Sequence, residues 1–184
     1  MDYDVIKDLP SGILKLKINS NDYPSIDDVL DFGSRNNEKR GFLFVSKILG
    51  RHINVEPKKI KESHLKLSNK LLNLNLKGSV LFVGLAETAV GLGQGVFEEF
   101  YDKYDGKSFF IQSTRHPLKE HKVAVEFEES HSHASTHWIH YPKDQVFFFF
   151  FDKIKTVVIV DDEQSTGNTA KNLLQEIVKK ITTS

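Results

Sequence analysis

The chain has 184 residues, with 25 basic and 25 acidic side chains and no cysteine. That length suits one domain with a full core. Balanced charge excludes a global field that would draw it to nucleic acid or a membrane surface, and the lack of cysteine excludes a disulfide framework or a thiolate zinc site. The N-terminus, Met-Asp-Tyr-Asp-Val, is acidic and lacks the apolar run of a signal peptide. The longest apolar stretch, Val146 to Phe151, is too short to span a bilayer. A cytoplasmic protein without membrane or nucleic-acid partners is expected.

In chain order, residues 1–55 show only short strand-like pieces. Gly12-Ile-Leu-Lys-Leu-Lys-Ile18 alternates as a half-buried strand does. Gly41-Phe-Leu-Phe-Val45 fits a second strand or the start of a buried helix running to Gly50. From Pro57, the spacing of Ile60, His64, Leu67, Leu71 and Leu74 among lysines predicts a helix ended by Lys77-Gly78. A strand–helix alternation follows, the pattern of a parallel sheet. It comprises strand Val80–Val83, a helix with Leu92, Val96 and Phe100 on one face, and strand Ser108–Gln112. Residues 114–142 are polar, His-rich and without clear period. Phe147 to Phe151 read as a buried strand or core-facing turn, the alternative being a surface that meets a partner or a base. Strand Val157–Val160 and an amphipathic helix through Ala170, Leu173, Leu174, Ile177, Val178 and Ile181 complete the chain. These elements predict an α/β fold, an open, mostly parallel sheet with flanking helices. Residues 1–55 form an N-terminal hood and residues 56–184 the core, within one compact domain.

The richest segment is Val157-Val-Ile-Val-Asp-Asp-Glu-Gln-Ser-Thr-Gly-Asn-Thr169. Four β-branched residues suit a strand covered on both faces. Asp161 and Asp162 leave its carboxyl end, where open α/β sheets bind ligands. Ser165 to Thr169 bring hydroxyls and free amides to a helix start, a seat for a phosphate. The bland alternative is a strand–turn–helix with Thr166 as a cap. The segment resembles the PRPP-binding signature of the type I phosphoribosyltransferases, a Rossmann-like fold. The resemblance implies that Asp161 and Asp162 contact the ribose hydroxyls of PRPP, and that Ser165, Thr166, Gly167, Asn168 and Thr169 hold its 5′-phosphate.

Gly84-Leu-Ala-Glu-Thr-Ala-Val-Gly-Leu-Gly93 follows the first core strand, and its small residues permit close approach of a ligand to the backbone. It does not match the dinucleotide fingerprint Gly-x-Gly-x-x-Gly. By resemblance, Leu85, Ala86, Glu87 and Thr88 take the place of the pyrophosphate loop. Glu87 is unusual for an anion site unless it binds metal or hydrogen-bonds the nucleophile. Arg115 suits a bidentate contact to the leaving pyrophosphate, the alternative being a solvated arginine. By position, Pro117 to Lys122, with Lys119, His121 and Lys122, matches the family's mobile catalytic loop.

Glu128-Glu-Ser-His-Ser-His-Ala-Ser-Thr-His-Trp-Ile-His140 carries four histidines. His131, His133, His137 and His140 allow a transition-metal site, acid–base chemistry on a substrate, or structural hydrogen bonding. The spacing matches neither His-Glu-x-x-His nor a zinc finger. Phe127-Glu-Glu-Ser-His-Ser-His-Ala, Gly41-Phe-Leu-Phe-Val-Ser and Gly84-Leu-Ala-Glu-Thr-Ala look like the orotate-phosphoribosyltransferase-like branch of tellurium-resistance-type gene clusters. The likeness covers most of residues 35–175 and implies a role in making a nucleoside-like metabolite. It also implies a homodimer, Mg²⁺ carried mainly by PRPP, and a further strand beyond Ser184; either an N-terminal strand covers that sheet edge or, as is favoured, the chain is a fragment of a longer protein.

Ser165 departs from the aspartate with which hypoxanthine-guanine enzymes contact the purine, which argues against a 6-oxopurine. The acceptor is otherwise open, with Arg35, Arg40 and Arg51 as hood residues that contact it or are merely solvated. The expected activity is Mg²⁺-dependent transfer of a 5-phosphoribosyl group from PRPP to a small-molecule acceptor, with Asp161, Asp162 and Arg115 catalytic. The alternatives are a non-catalytic PRPP- or nucleotide-binding regulator, and hydrolysis at a His/Glu metal site.

Overall fold

A computed structural model of the chain describes residues 3–19, 23–36, 41–128, 136–143, 153–164 and 166–182. The chain divides into two compact units, Met1–Ser63 and His64–Ser184. In the first, β1 (Tyr3–Leu9) and β2 (Gly12–Ile18) form an antiparallel hairpin. Gly12, at φ +129°, leads out of its turn. Leu14, Leu16 and Ile18 take the half-buried side of β2, as their alternation predicts. β3 (Leu30–Ser34) pairs with β4 (Phe42–Ser46), so Gly41–Val45 resolves as strand rather than helix. Lys7 bonds Asp27 at 2.8 Å, and this contact holds the Asp27 carboxyl below its ordinary pKa. The Ser11 hydroxyl donates to the Gly41 carbonyl at 2.6 Å.

α1 (Pro57–Leu72) starts on proline, whose fixed φ suits a first helical turn. It ends at Leu72, not at Lys77-Gly78. The Leu74 and Asn75 amides close a turn onto Leu71 and Leu72, and Asn75 adopts the left-handed conformation at φ +51°. Leu74 keeps the helical spacing in sequence yet is 66% exposed, because the helix is over before it. In the second unit, burial holds the His64 imidazole below its ordinary pKa, against the opposing pull of Glu99 and Glu98.

The second unit is built on three parallel strands in the order β6 (Ser108–Gln112), β5 (Ser79–Gly84), β9 (Ile154–Val160). The hydrophobic run of β5 is wholly buried from Val80 to Val83, as a strand covered on both faces requires. On one face Phe82 meets Phe97 and Phe100 of α2 (Val90–Tyr101), with ring centroids 5.4 and 5.0 Å apart. On the other, Leu81 and Val83 join Leu173 and Ile177 of α3 (Asn168–Thr182) in one apolar cluster. This is the expected α/β architecture, an open sheet with flanking helices. Among the described residues no helix is long and apolar enough to cross a membrane.

The His-rich stretch contains an antiparallel hairpin that its composition conceals, β7 (Val123–Glu128) with β8 (Thr136–His140). Two features hide it. A register irregularity between Val123 and Val125 buries the consecutive residues Ala124 and Val125. In β8 a histidine, His137, takes an inward position beside Ile139. Phe127, Val125 and Ile139 complete the α3-side cluster. The Phe147–Phe151 run lies outside the described residues.

α2 approaches the end of β5 through two glycines. A methyl group on Gly93 would lie 2.9 Å from the Gly84 Cα and 3.1 Å from Phe110 Cε2. Gly93→Ala is therefore expected to lower the unfolding free energy by about 1–3 kcal/mol through overpacking against backbone. Gly91→Ala, where a Cβ meets nothing within 4 Å, should gain up to about 1 kcal/mol of helix propensity. Urea denaturation of both variants checks the contrast, and equal effects would contradict the packing.

Candidate functional site

Parallel register places Gly84 opposite Gln112 on one side and Val160 on the other. The loops after β5, β6 and β9 therefore leave the sheet together, at its carboxyl edge, with neighbouring strands about 4.8 Å apart. Leu85–Thr88, Ser113–Arg115 and Asp161–Gln164 are brought to that edge from segments far apart in sequence. It is the edge on which open α/β sheets bind ligands.

The loop after β5 is anchored from both sides. Leu85 N donates to the Val160 carbonyl at 3.0 Å and Ala86 N to the Ser113 hydroxyl at 2.9 Å. Ala89 N closes back on the Leu85 carbonyl at 3.2 Å, and the Ala86–Glu87 peptide is cis. The amides of Glu87 and Thr88 meet no protein acceptor among the described residues, nor do those of Val90, Gly91 and Leu92 in the first turn of α2. Ala89, at the N-cap, offers no side-chain cap. Amides open at a helix N-terminus attract an anion through directed N–H groups and the helix dipole. Glu87 itself is exposed and Thr88 half-buried.

Asp161 and Asp162 follow Val160 directly, and both are exposed. Asp162 N donates to the Asp161 carboxylate at 3.0 Å, which fixes that carboxylate at the strand end. Gly167, at φ +77°, turns the chain into α3, and its carbonyl accepts from Lys171 N at 2.9 Å. The Thr166 hydroxyl accepts from Asn168 N at 3.4 Å, the cap-like contact expected of it. Thr169 lies half-buried in the first turn of α3, and Ser165 lies outside the described residues.

After β6, Thr114 makes an isolated antiparallel bridge to Trp138, and Arg115 is half-buried just beyond it. Lys119 and Lys122 are exposed on the short connection to β7, and His121 is half-buried. Arg35 and Arg51 are exposed in the first unit, and Arg40 lies outside the described residues.

The two described histidines of this segment, His137 and His140, lie at positions of opposite parity on β8. His131 and His133 lie outside the described residues. His137 is 1% exposed on the inner face of β8, and its ring packs on Phe127 at 5.1 Å. His140 takes the opposite parity, half-buried, and Nε2 accepts from Leu118 N at 3.2 Å. Among the described residues no three His, Asp or Glu side chains gather to hold a metal ion.

Residue patterns alone did not single out Ser113. Its hydroxyl joins the Ala86 amide to His137 Nδ1, 3.3 Å away. The available signal was a small hydroxyl residue immediately beyond a buried strand, one step before the Thr114-Arg115 pair. For His137 it was the two-residue spacing to Ile139 within a strand.

A parallel sheet whose carboxyl edge carries an open helix N-terminus, a second glycine-hinged loop and paired acids defines an α/β domain suited to a sugar phosphate or nucleotide. The chain belongs to the phosphoribosyl transferase family, whose model matches residues 29–184. The general reaction of that family joins PRPP to an acceptor. Solved structures share the fold. The adenine phosphoribosyl transferase of Trypanosoma brucei, determined with AMP, pyrophosphate and ribose-5-phosphate, superposes with a TM-score of 0.55 at 12% identity, over 97% of this chain and 70% of that one. The adenine phosphoribosyltransferase of Rhodothermus marinus gives 0.50 at 14% identity, over 85% and 77%. No curated protein matches in sequence.

His140 supplies a pH-dependent tether for the turn before β7. Burial, and then the neighbouring His121, lower its pKa from the ordinary value. The neutral ring accepts the Leu118 amide; the protonated ring carries a proton on Nε2 and cannot. Protection of the Leu118 amide is thus expected above the lowered pKa and lost as pH falls through it. Amide exchange, corrected for its intrinsic pH dependence, reads this directly. Protection unchanged by acid or by His140→Ala would contradict the contact.

Proposed function

We propose that this chain transfers a 5-phosphoribosyl group from PRPP to a small base-like acceptor and releases pyrophosphate. The observation that carries this reading is the convergence at one sheet edge of the open amides of residues 87, 88 and 90–92 with Asp161, Asp162 and the turn at Gly167. In the transfer, the bond from the anomeric carbon to the pyrophosphate oxygen breaks and a bond to the acceptor forms. Positive charge builds on the ribose ring and negative charge on the departing pyrophosphate, so the protein's work is positioning and electrostatics.

In this proposal, Asp161 and Asp162 bind the ribose hydroxyls and favour the cationic ring. Ser165, Thr166, Gly167, Asn168 and Thr169 enclose the 5′-phosphate. The Glu87 and Thr88 amides and the start of α2 receive the pyrophosphate, between Leu85–Ala86 and Arg115. The exposed oxygen donors of Asp161 and Asp162 suit Mg²⁺, a hard ion that keeps several waters and is held largely by phosphate oxygens. When bound, it neutralises charge on the pyrophosphate. Acceptor choice is assigned to residues 1–55 as a hood. The proposal extends to the orotate-phosphoribosyltransferase-like branch, which the motifs at 41–46, 84–89 and 127–134 resemble, and to the homodimer that this resemblance implies.

Asp161→Asn together with Asp162→Asn is expected to leave thermal unfolding unchanged, because both side chains are exposed. The same change should reduce PRPP-dependent pyrophosphate release by about 100-fold or more. Calorimetry with PRPP and Mg²⁺ precedes the assay. Binding without release for any base acceptor would favour a regulator on the same fold. Release that survives the double substitution would remove the catalytic assignment.

A further inference from the structure

We propose that Ser113 and His137 are positioning residues for the pyrophosphate half of the site, an assignment that rests on the phosphoribosyl-transfer reading above. Ser113 is 2% exposed and His137 1%. The Ser113 backbone donates to the Gly84 carbonyl at 3.0 Å, which locks it beside the last residue of β5. Its hydroxyl accepts the Ala86 amide at 2.9 Å and stands 3.3 Å from His137 Nδ1. A hydroxyl has one donor and two acceptor positions, so the amide and the imidazole take two of the three in either ring tautomer.

An imidazole is a costly choice at that position on packing grounds alone. Phe127 packs against it and the next inward residue of β8 is Ile139, so leucine or phenylalanine would suit such a position without a polar group to satisfy. The contact to Ser113 gives that polar group a partner. His137 orients the hydroxyl, and the hydroxyl turns the Ala86 amide inward. With Leu85 N held by Val160, the loop's open donors are then Glu87 and Thr88, continuous with the first turn of α2. Removing the hydroxyl orphans the Ala86 amide, and the loop must rotate to satisfy it. That rotation carries the two open amides away from the anion. The loop after β9 has no part in this relay, so the phosphate seat at 165–169 is left alone.

This division between the two halves supplies the test. Ser113→Ala, His137→Leu and His137→Asn are compared with the unaltered chain by calorimetry against magnesium pyrophosphate and, separately, ribose 5-phosphate. Amide exchange at Ala86 is measured in parallel. Ser113→Ala and His137→Leu should weaken pyrophosphate binding by about tenfold, expose the Ala86 amide to exchange and leave ribose 5-phosphate affinity unchanged. His137→Asn, which keeps a polar group near the Nδ1 position, should recover most of the loss. If His137→Leu fails to fold, Ser113→Ala and His137→Asn decide. Equal loss of both ligands, or no loss of pyrophosphate, overturns the positioning role while the phosphoribosyl-transfer reading stands. An unaltered chain that binds neither ligand overturns both.

Discussion

The in-register parallel pairing of β5 with β6 and β9 is the constraint on which the rest depends. Gly84, Gln112 and Val160 end their strands side by side, so three loops that are distant in sequence must share one edge. A slip of one residue would reverse which side chains of β5 face α2 and which face α3. Strong burial on both faces forbids that slip, since Val80 to Val83 are all inaccessible to solvent. The apolar core is thus what sets the spacing between the paired acids and the open amides.

Close approach at the helix start then refines that edge. Gly84 and Gly93 meet backbone to backbone, which brings the first turn of α2 against the strand it follows. The amides of residues 90–92 are consequently presented at the edge, and not behind a side-chain cap. The hairpin β7–β8 contributes from the other side of the sheet through His137, and α3 is tied to it by Asn172, whose Nδ2 donates to the Glu128 carbonyl at 2.9 Å. Among the described residues, a polar thread from His137 through Ser113 to the Ala86 amide reaches the loop after β5.

Much of this was legible from residue pattern because the core strands obey the rules of fully buried parallel strands. β6 falls where Ser108–Gln112 predicts it, and α2 and α3 where their apolar spacing predicts them. The loop after β9 announced itself because acids, a glycine and hydroxyls occur in one short run. The failures have equally local causes. The end of α1 is set by Asn75 adopting a left-handed conformation, which apolar periodicity cannot register. The β7–β8 hairpin was invisible because one register irregularity and one buried histidine break the two-residue alternation. Ser113 was missed because a single hydroxyl has no pattern at all; only the paired strands disclose what it touches.

The central claim is that one edge of this sheet receives PRPP, acids on its pentose and amides on its two anionic ends. Diffraction from crystals grown with Mg²⁺ and PRPP tests it most directly. The account predicts the 5′-phosphate against residues 165–169, the ribose hydroxyls at Asp161 and Asp162, and the pyrophosphate at the Glu87 and Thr88 amides. Density for PRPP elsewhere, or an edge that stays empty at saturating ligand, would contradict it.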